Sequence, residues 1–504
     1  MRTILYFAIG LFVLLLAGWL GGRYYVGQRL DRLVDEANAA GAELTMADRS
    51  VSFRGWAVGV TADSVRLRQR VGGRWLSGSV GRVTIEGVSV ASVLRGEVSV
   101  DDVLLANADL SLHPAADTTN ASPAGGSGSG PRSLSVRRAR LRNGRVSVFA
   151  ADESLTARAT GLAATLALHF PLAPASAPPG RVAVDSLFLP SADGGDRVFN
   201  GLVVDMEAGS LDLDRFRIVP DRTIAGKLMN LRYKNPWEAL DVRGVRVPTL
   251  PLDSLLAGGW ASVPAVDVDE LTFATYERLA LEPEPGGRRK PFPVEAFRAI
   301  GRPLRVERMT VANTSITYGI LEDDGTTPHI TFAGRTELGN FSTRRQPESA
   351  YATADFTFAG AAPLTARFEL GQAGNGRDFR ATAELGRFDL TNLVPLLRAA
   401  AGLEVEGGRV NSLEHDFSSD GTDVTAGELI LQYEKLEAKL HGKGSGLFNL
   451  VEDLVIRDSN PRPDGDLVRG RVSFEHDPTR SFFNLYWKSV LAGMKESVMA
   501  GVVK

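Results

Sequence analysis

Histidine is the residue type in this chain best suited to acid–base chemistry or metal binding near neutral pH, and the sequence contains six histidines. No two of them have the His-x-x-x-His or His-Glu-x-x-His spacing that places two imidazoles on one helix face around a metal ion. The chain has no cysteine, which excludes thiolate metal sites, disulfides and a lipid-modified cysteine anchor. We interpret the histidines as solvated or loop residues: His113, His169, His329, His415, His441 and His476. The sequence therefore predicts no metal and no cofactor.

Other candidate motifs lack a residue that their chemistry requires. Residues 441–446 are rich in glycine, but a phosphate loop needs four residues between its first glycine and the Gly-Lys-Ser/Thr sequence. Ser445 lacks, two positions before it, the glycine of a hydrolase nucleophile elbow. The acidic sequence at 322–325 is typical of a turn, which we favour over a weak Ca²⁺ site, and Glu404 and Glu406 fit the wet face of a strand. We expect that the protein is not an enzyme, and its net charge of -3 gives no reason to expect nucleic acid.

The first 23 residues indicate a membrane anchor. Residues 4–22 are uncharged and mostly apolar, and Arg2 and Arg23 flank them. As a helix this run would be about 28 Å long, close to the hydrocarbon thickness of a bilayer. A cleaved signal peptide is the alternative, but it needs a shorter apolar region and a small-x-small cleavage site. The predicted anchor residues are Ile4, Leu5, Phe7, Leu11, Phe12, Leu14, Leu15 and Trp19.

The segment after the anchor, 24–43, has apolar residues at helical spacing and predicts a helical stalk. Arginines at 23, 29 and 32 would favour the opposite orientation, but long segments translocate largely regardless of charge. We therefore expect a single-pass inner-membrane protein with a cytoplasmic N-terminus and a periplasmic body.

From about residue 44 the apolar period changes from 3.6 to 2, which predicts antiparallel sheet with one dry and one wet face. The clearest rows of dry-face residues lie between 352 and 385. They are the candidate lining of an apolar groove: Ala354, Phe356, Phe358, Leu364, Ala366, Phe368, Leu370, Phe379, Ala381 and Leu385.

Turn-forming composition divides this β-rich region. We expect a first β segment at 44–113, a flexible Gly/Ser/Pro linker or loop at 114–133 and the main β body at 134–480. Residues 481–504 predict a C-terminal amphipathic helix whose apolar stripe is Phe483, Trp487, Val490, Met494 and Val498. This helix could lie in a membrane interface, but we favour a helix that caps the end of the sheet.

A short repeat surrounds three asparagines, Asn107, Asn143 and Asn313. In each copy an aliphatic residue stands seven positions before the asparagine, and two apolar residues alternate with a polar one after it. Asparagine tolerates the left-handed backbone conformation, so each copy predicts a strand, a tight turn or bulge, and a second strand.

With this repeat, the N-terminal anchor and the runs at 96–112 and 304–318, the chain resembles the AsmA-like superfamily of envelope proteins, which includes TamB and YhdP. It looks most like short members of unassigned function. The resemblance implies an elongated antiparallel sheet curled into an apolar groove that conducts phospholipid acyl chains between membranes, and it supplies no catalytic residues.

The residues themselves support the same interpretation. A sheet with one apolar face must cover that face with another sheet, with helices or with ligand, and the predicted helices are few. We expect a groove that binds phospholipid or another acyl lipid and takes part in transport between the inner and outer membranes, with an outer-membrane or periplasmic protein as a further partner. The alternative is an assembly scaffold that holds outer-membrane proteins at its sheet edges.

Overall fold

The computed structural model describes residues 43–54, 57–71, 74–89, 97–114, 133–170, 178–191, 195–282, 284–371, 377–401, 403–422, 424–440 and 454–502. The predicted anchor, stalk and most of the 114–133 linker lie outside these ranges. Among the helices within them, none is long and apolar enough to cross a membrane.

The described part of the chain is mainly β, as predicted. All its strands except the separate pair β22 and β24 belong to one large, mostly antiparallel sheet. The strands are β1 Glu43–Thr45, β2 Asp48–Arg54, β3 Ala57–Val71, β4 Arg74–Ser89, β5 Glu97–Pro114, β6 Ser133–Phe149, β7 Leu155–Phe170, β8 Gly180–Leu189, β9 Gly195–Asp205, β10 Ser210–Pro220, β11 Trp237–Val247, β12 Ala261–Val263, β13 Val266–Glu277, β14 Leu304–Ile320, β15 His329–Ser342, β16 Ala350–Phe358, β17 Ala362–Leu370, β18 Phe379–Leu385, β19 Phe388–Asp389, β20 Leu403–Ser419, β21 Val424–Leu440, β22 Leu454–Ile456, β23 Arg469–Glu475 and β24 Met499–Val502.

Few helices interrupt the strands. They are α1 Ile224–Leu228, α2 Leu252–Ala257, α3 Pro293–Arg298, α4 Val394–Ala401 and α5 Phe482–Val498, with a 3-10 turn at Leu390–Leu393. Two compact units result. The first contains the described residues before 192, Asp196–Arg215 and α2, and the second contains Phe216–Pro251 and the described residues from Gly258 onward.

In the first unit, β1 and β2 pair with β3, and the ladder continues antiparallel through β4 to β5. Strand β5 pairs in parallel with β6, and β6 through β9 are again antiparallel. The apolar side chains on one face form a core in which Val65, Leu76 and Val100 are each only 1% exposed. Alternation in the sequence therefore creates this core directly, because successive side chains of a strand point to opposite faces.

Each asparagine of the repeat lies inside one strand, and the pairing register shifts around Asn143 in β6 and around Asn313 in β14. Asn107 in β5 and Asn143 in β6 have φ of 55° and 51°, and the strand continues on both sides of each. Because β5 and β6 are parallel and in register, the two asparagines are neighbours, and Nδ2 of Asn143 donates to Oδ1 of Asn107 at 2.8 Å. Asn313 lies in β14 and its Nδ2 donates to the backbone oxygen of Asp269 at 3.1 Å. A bulge, like a tight turn, can use the left-handed conformation that asparagine tolerates, but it does not reverse the chain.

In the second unit, β11 pairs with β13, which runs parallel to β14. From β14 the ladder is antiparallel through β15, β16, β17, β18, β20, β21 and β23. Helix α4 contacts β20 and also β14 and β15. In a flat sheet β14 and β20 would lie five strand spacings, about 24 Å, apart, which is too far for an eight-residue helix about 12 Å long to bridge side-on. The sheet of this unit therefore curls around its helices.

Helix α5 is the longest helix packed against the sheet of the second unit. Ser481 begins the helix by accepting a hydrogen bond from the backbone N–H of Asn484 at its side-chain oxygen. The helix packs on β21 and β23 and ends at Val498. The predicted helix is wrong at Met499–Val502, where β24 pairs with β22, and residues 503–504 lie outside the described ranges. Valine and glycine at the end of the chain explain the change, since valine favours strand and glycine weakens helix.

Candidate functional site

The predicted groove residues lie on one face of β16, β17 and β18, in cross-strand rows. Ala354 is opposite Ala366, Phe356 is opposite Leu364, and Phe368 is opposite Ala381. Direct partners in an antiparallel pair share a face, so the alternation in sequence becomes a continuous apolar surface.

Protein covers much of this surface. The ring of Phe482 in α5 lies 5.0 Å from that of Phe379 and 6.1 Å from that of Phe368, and the ring of Tyr486 lies 5.1 Å from Phe368. Ala381 is fully buried at 0% exposure.

At the other end of the same rows, Phe358 packs edge-on against Phe388 at 5.3 Å, and Leu385 is also buried. Leu370 belongs to the same core, to which α3 contributes Phe292 and Val294. Only Ala354, Phe356, Leu364 and Ala366 of the predicted lining remain part-exposed besides Phe368. In the second unit Phe358, Leu370, Phe379, Ala381 and Leu385 therefore form a sheet–helix core with the C-terminal helix, whereas Ala354, Phe356, Leu364 and Ala366 stay part-exposed.

The buried stripe of α5 begins one residue earlier than the sequence suggested. Its buried residues are Leu485, Ser489, Val490, Leu491, Gly493 and Ser497, and Phe482, Tyr486, Met494 and Val498 pack beside them. Phe483 is 49% exposed and Trp487 is part-exposed, so these two predicted stripe residues lie on the outer side. Both stripes have helical spacing, and only contact with the sheet selects between them.

Two polar contacts lie within this helix–sheet interface. Nε2 of His415 in β20 is 2.9 Å from the hydroxyl of Tyr486, and burial lowers the pKa of His415 to about 4. The hydroxyls of Thr425 and Ser489 are 2.9 Å apart and buried. His415 is 6% exposed inside β20, so its interpretation as a solvated or loop residue is wrong, and we assign it a structural role in this core.

The other chemical candidates are also placed. His441 lies outside the described residues, and His113 stacks on Phe149 with ring centres 4.5 Å apart. In the 322–325 turn, Asp324 accepts from the backbone N–H of Thr326 at 2.9 Å and from its hydroxyl at 2.7 Å. Over the described ranges no group of three or more His, Asp or Glu side chains could hold a metal ion.

A second apolar surface is also part-exposed. In the first unit, the apolar face is buried on β6 and β7, at Val136, Val146, Leu166 and Leu168. On β8 and β9 it continues as the part-exposed pairs Val182–Val204 and Val184–Leu202. We call these four residues the apolar strip. The sequence analysis noted Val182 and Val184 as alternating strand residues but gave no signal that this part of the sheet would be the less buried one.

The apolar strip continues directly from the core of the first unit. Val182 pairs with Ala164 of β7, which packs against that core. The described part of this unit contains one helix, α2, in which no residue is buried. The strip can therefore offer aliphatic side chains to an apolar ligand.

Comparison with protein-family models found no match to this chain, and comparison with curated proteins found no similar sequence.

Proposed function

We propose that this protein is an inner-membrane-anchored, periplasmic protein that binds phospholipid or another acyl lipid on the apolar strip and takes part in lipid transport between the inner and outer membranes. The observation that carries the proposal is the part-exposed apolar face on β8 and β9, in register with a buried apolar core. The N-terminal apolar run, which predicts the anchor, supports the location.

The energetics fit a surface that binds hydrocarbon without a specific headgroup site. Each methylene removed from water contributes about 0.8 kcal/mol, so contact with several methylenes suffices to hold a lipid tail. Binding of this kind needs no catalytic residue. A passive surface also supplies no direction, which must come from a partner or from a difference in lipid between the two membranes.

Photo-crosslinking tests the proposal with two matched controls. A photoreactive amino acid replaces Leu202 in the apolar strip, its neighbour Val203, or Phe368 in the core. Val203 pairs with Ala183 and faces the opposite side of the sheet, and Phe368 lies against Phe482 and Tyr486.

We expect lipid adducts at position 202 and few at 203 or 368, detected by mass spectrometry after purification from cells. Equal lipid labelling at 202 and 203, or none at 202, would overturn the proposal. Protein adducts at 202 would instead favour the assembly scaffold.

A further inference from the structure

Three segments of the second unit meet beside the first turn of α5: residues 230–236, 277–290 and 477–488. The backbone N–H of Lys234 donates to the oxygen of Glu282 at 2.9 Å, and that of Lys290 donates to the oxygen of Pro478 at 2.9 Å. The loop at 284–290 also lies close to Thr479, since a Cβ on Gly287 would be 3.7 Å from Cβ of Thr479. The three segments therefore form one continuous region.

This region is basic. The segments carry eight basic residues and four acidic ones, in a chain of net charge -3. The basic residues are Arg232, Lys234, Arg278, Arg288, Arg289, Lys290, Arg480 and Lys488, and the acidic ones are Glu277, Glu282, Glu284 and Asp477.

Several of these charges are locally compensated. Arg278 pairs with Asp323 at 2.7 Å, Arg480 with Asp477 at 3.8 Å and Arg289 with Glu295, and Glu277 accepts from the hydroxyl of Tyr318. Arg288 and Lys290 are exposed in the loop at 284–290.

Lys234, Arg480 and Lys488 are part-buried and repel one another. Burial lowers the pKa of Lys234 and the charge of Arg480 lowers it further, while the carboxylates of Glu277 and Glu282 act in the opposite direction. Burial also lowers the pKa of Lys488, and Lys234 and Arg480 contribute to that shift. An anion placed against this group of like charges would relieve the repulsion.

An exposed aromatic residue follows the basic segment at 477–480 in the sequence. Phe483 is five residues after Pro478 and 49% exposed, and among the large hydrophobic residues of the described chain only Ile300, at 51%, is more exposed. Trp487, one helical turn later, is part-exposed on the same side of α5. Aromatic residues next to basic side chains favour the boundary between lipid headgroups and acyl chains.

We propose that this region, formed by Arg288, Lys290, Arg480, Phe483 and Trp487, docks onto the surface of an anionic lipid bilayer. The basic side chains contact lipid phosphates, and Phe483 enters the boundary below the headgroups. This contact is separate from acyl-chain binding on the apolar strip and does not depend on it.

Fluorescence quenching tests the docking in the full chain. Because the protein has no cysteine, Pro285→Cys gives a single labelling site in the exposed loop, and Val219→Cys gives a control site on another exposed position. Each labelled protein is mixed with vesicles that contain brominated lipid as a quencher, made either of phosphatidylglycerol with phosphatidylcholine or of phosphatidylcholine alone.

We expect quenching at position 285 but not at 219, with anionic vesicles only, and less of it at high salt. Reversing two charges, with Arg288→Glu and Lys290→Glu together, weakens binding by about tenfold or more, since each basic residue near an anionic surface contributes about fivefold. Phe483→Ser weakens it by about fivefold, whereas Ile300→Ser, at a position 51% exposed, leaves it unchanged.

Three results would overturn the proposal: equal quenching with neutral vesicles, equal quenching at 219, or no effect of charge reversal in a protein whose circular dichroism is unchanged. An equal loss from Phe483→Ser and Ile300→Ser would remove the role of Phe483.

Discussion

Adjacent phenylalanines at the start of α5 give the sharpest test of how the second unit is packed. The ring of Phe482 lies 5.3 Å from that of Phe292, 5.0 Å from Phe379 and 6.1 Å from Phe368, whereas Phe483 is 49% exposed. Changing each to alanine removes the same side chain from the same helix. The two variants therefore differ only in what the ring contacts.

The expected magnitudes follow from burial. Phe→Ala in a core costs about 3–5 kcal/mol, and because Phe482 is packed beside the core rather than fully enclosed, we expect about 3 kcal/mol for Phe482→Ala. Phe483→Ala should change the free energy of unfolding by about 0.5 kcal/mol or less, as at other surface positions.

Urea unfolding, followed by near-ultraviolet circular dichroism, measures both variants. With a slope of about 3 kcal/mol per molar urea, Phe482→Ala lowers the midpoint of the second unit by about 1 M, and Phe483→Ala leaves it nearly unchanged. A midpoint that falls as far for Phe483→Ala as for Phe482→Ala would refute the packing described here and restore the apolar stripe inferred from sequence.

Three further predictions concern the same unit. Burial holds the pKa of His415 at about 4, below the ordinary 6.5, so the folded state favours its neutral form. The contribution to stability is complete above pH 6.5 and is lost as the pH falls towards 4, by about 2 kcal/mol between pH 7 and pH 5. Urea titrations at these two pH values should show a flatter dependence for His415→Asn. Gly244→Ala should lower the free energy of unfolding, measured by heat or urea, by about 1 kcal/mol more than Gly360→Ala does. Both glycines have positive φ, but a Cβ at 244 would overlap the carboxylate of Asp269, whereas a Cβ at 360 meets open space. Equal losses would contradict the steric argument. Thr425→Cys with Ser489→Cys should form a disulfide between β21 and α5 that raises the free energy of unfolding by up to about 4 kcal/mol. The control pair, Thr317→Cys with Thr331→Cys, closes a shorter loop and should contribute about 3 kcal/mol. A mass spectrum that shows two free thiols at 425 and 489 after oxidation would count against the close approach of α5 to β21.

The sequence predicted the β-rich class and which side chains share a face. The residues predicted to face inward at 379–385, Phe379, Ala381 and Leu385, are buried in the structure, because the period of side-chain direction along a strand is fixed by the backbone. It also predicted left-handed asparagines at 107, 143 and 313, and this local conformation occurs at 107 and 143 but not at 313.

The tertiary structure alone decided what covers each apolar face. Alternation at Ala381 and at Leu202 has the same period, yet Ala381 is fully buried in the sheet–helix core and Leu202 is part-exposed. It likewise decided between Phe482 and Phe483, which differ by one position on the same helix. Strand period and helix period are properties of neighbouring residues, whereas coverage depends on where a segment more than a hundred residues away in the chain comes to lie, and curling of the sheet sets that position.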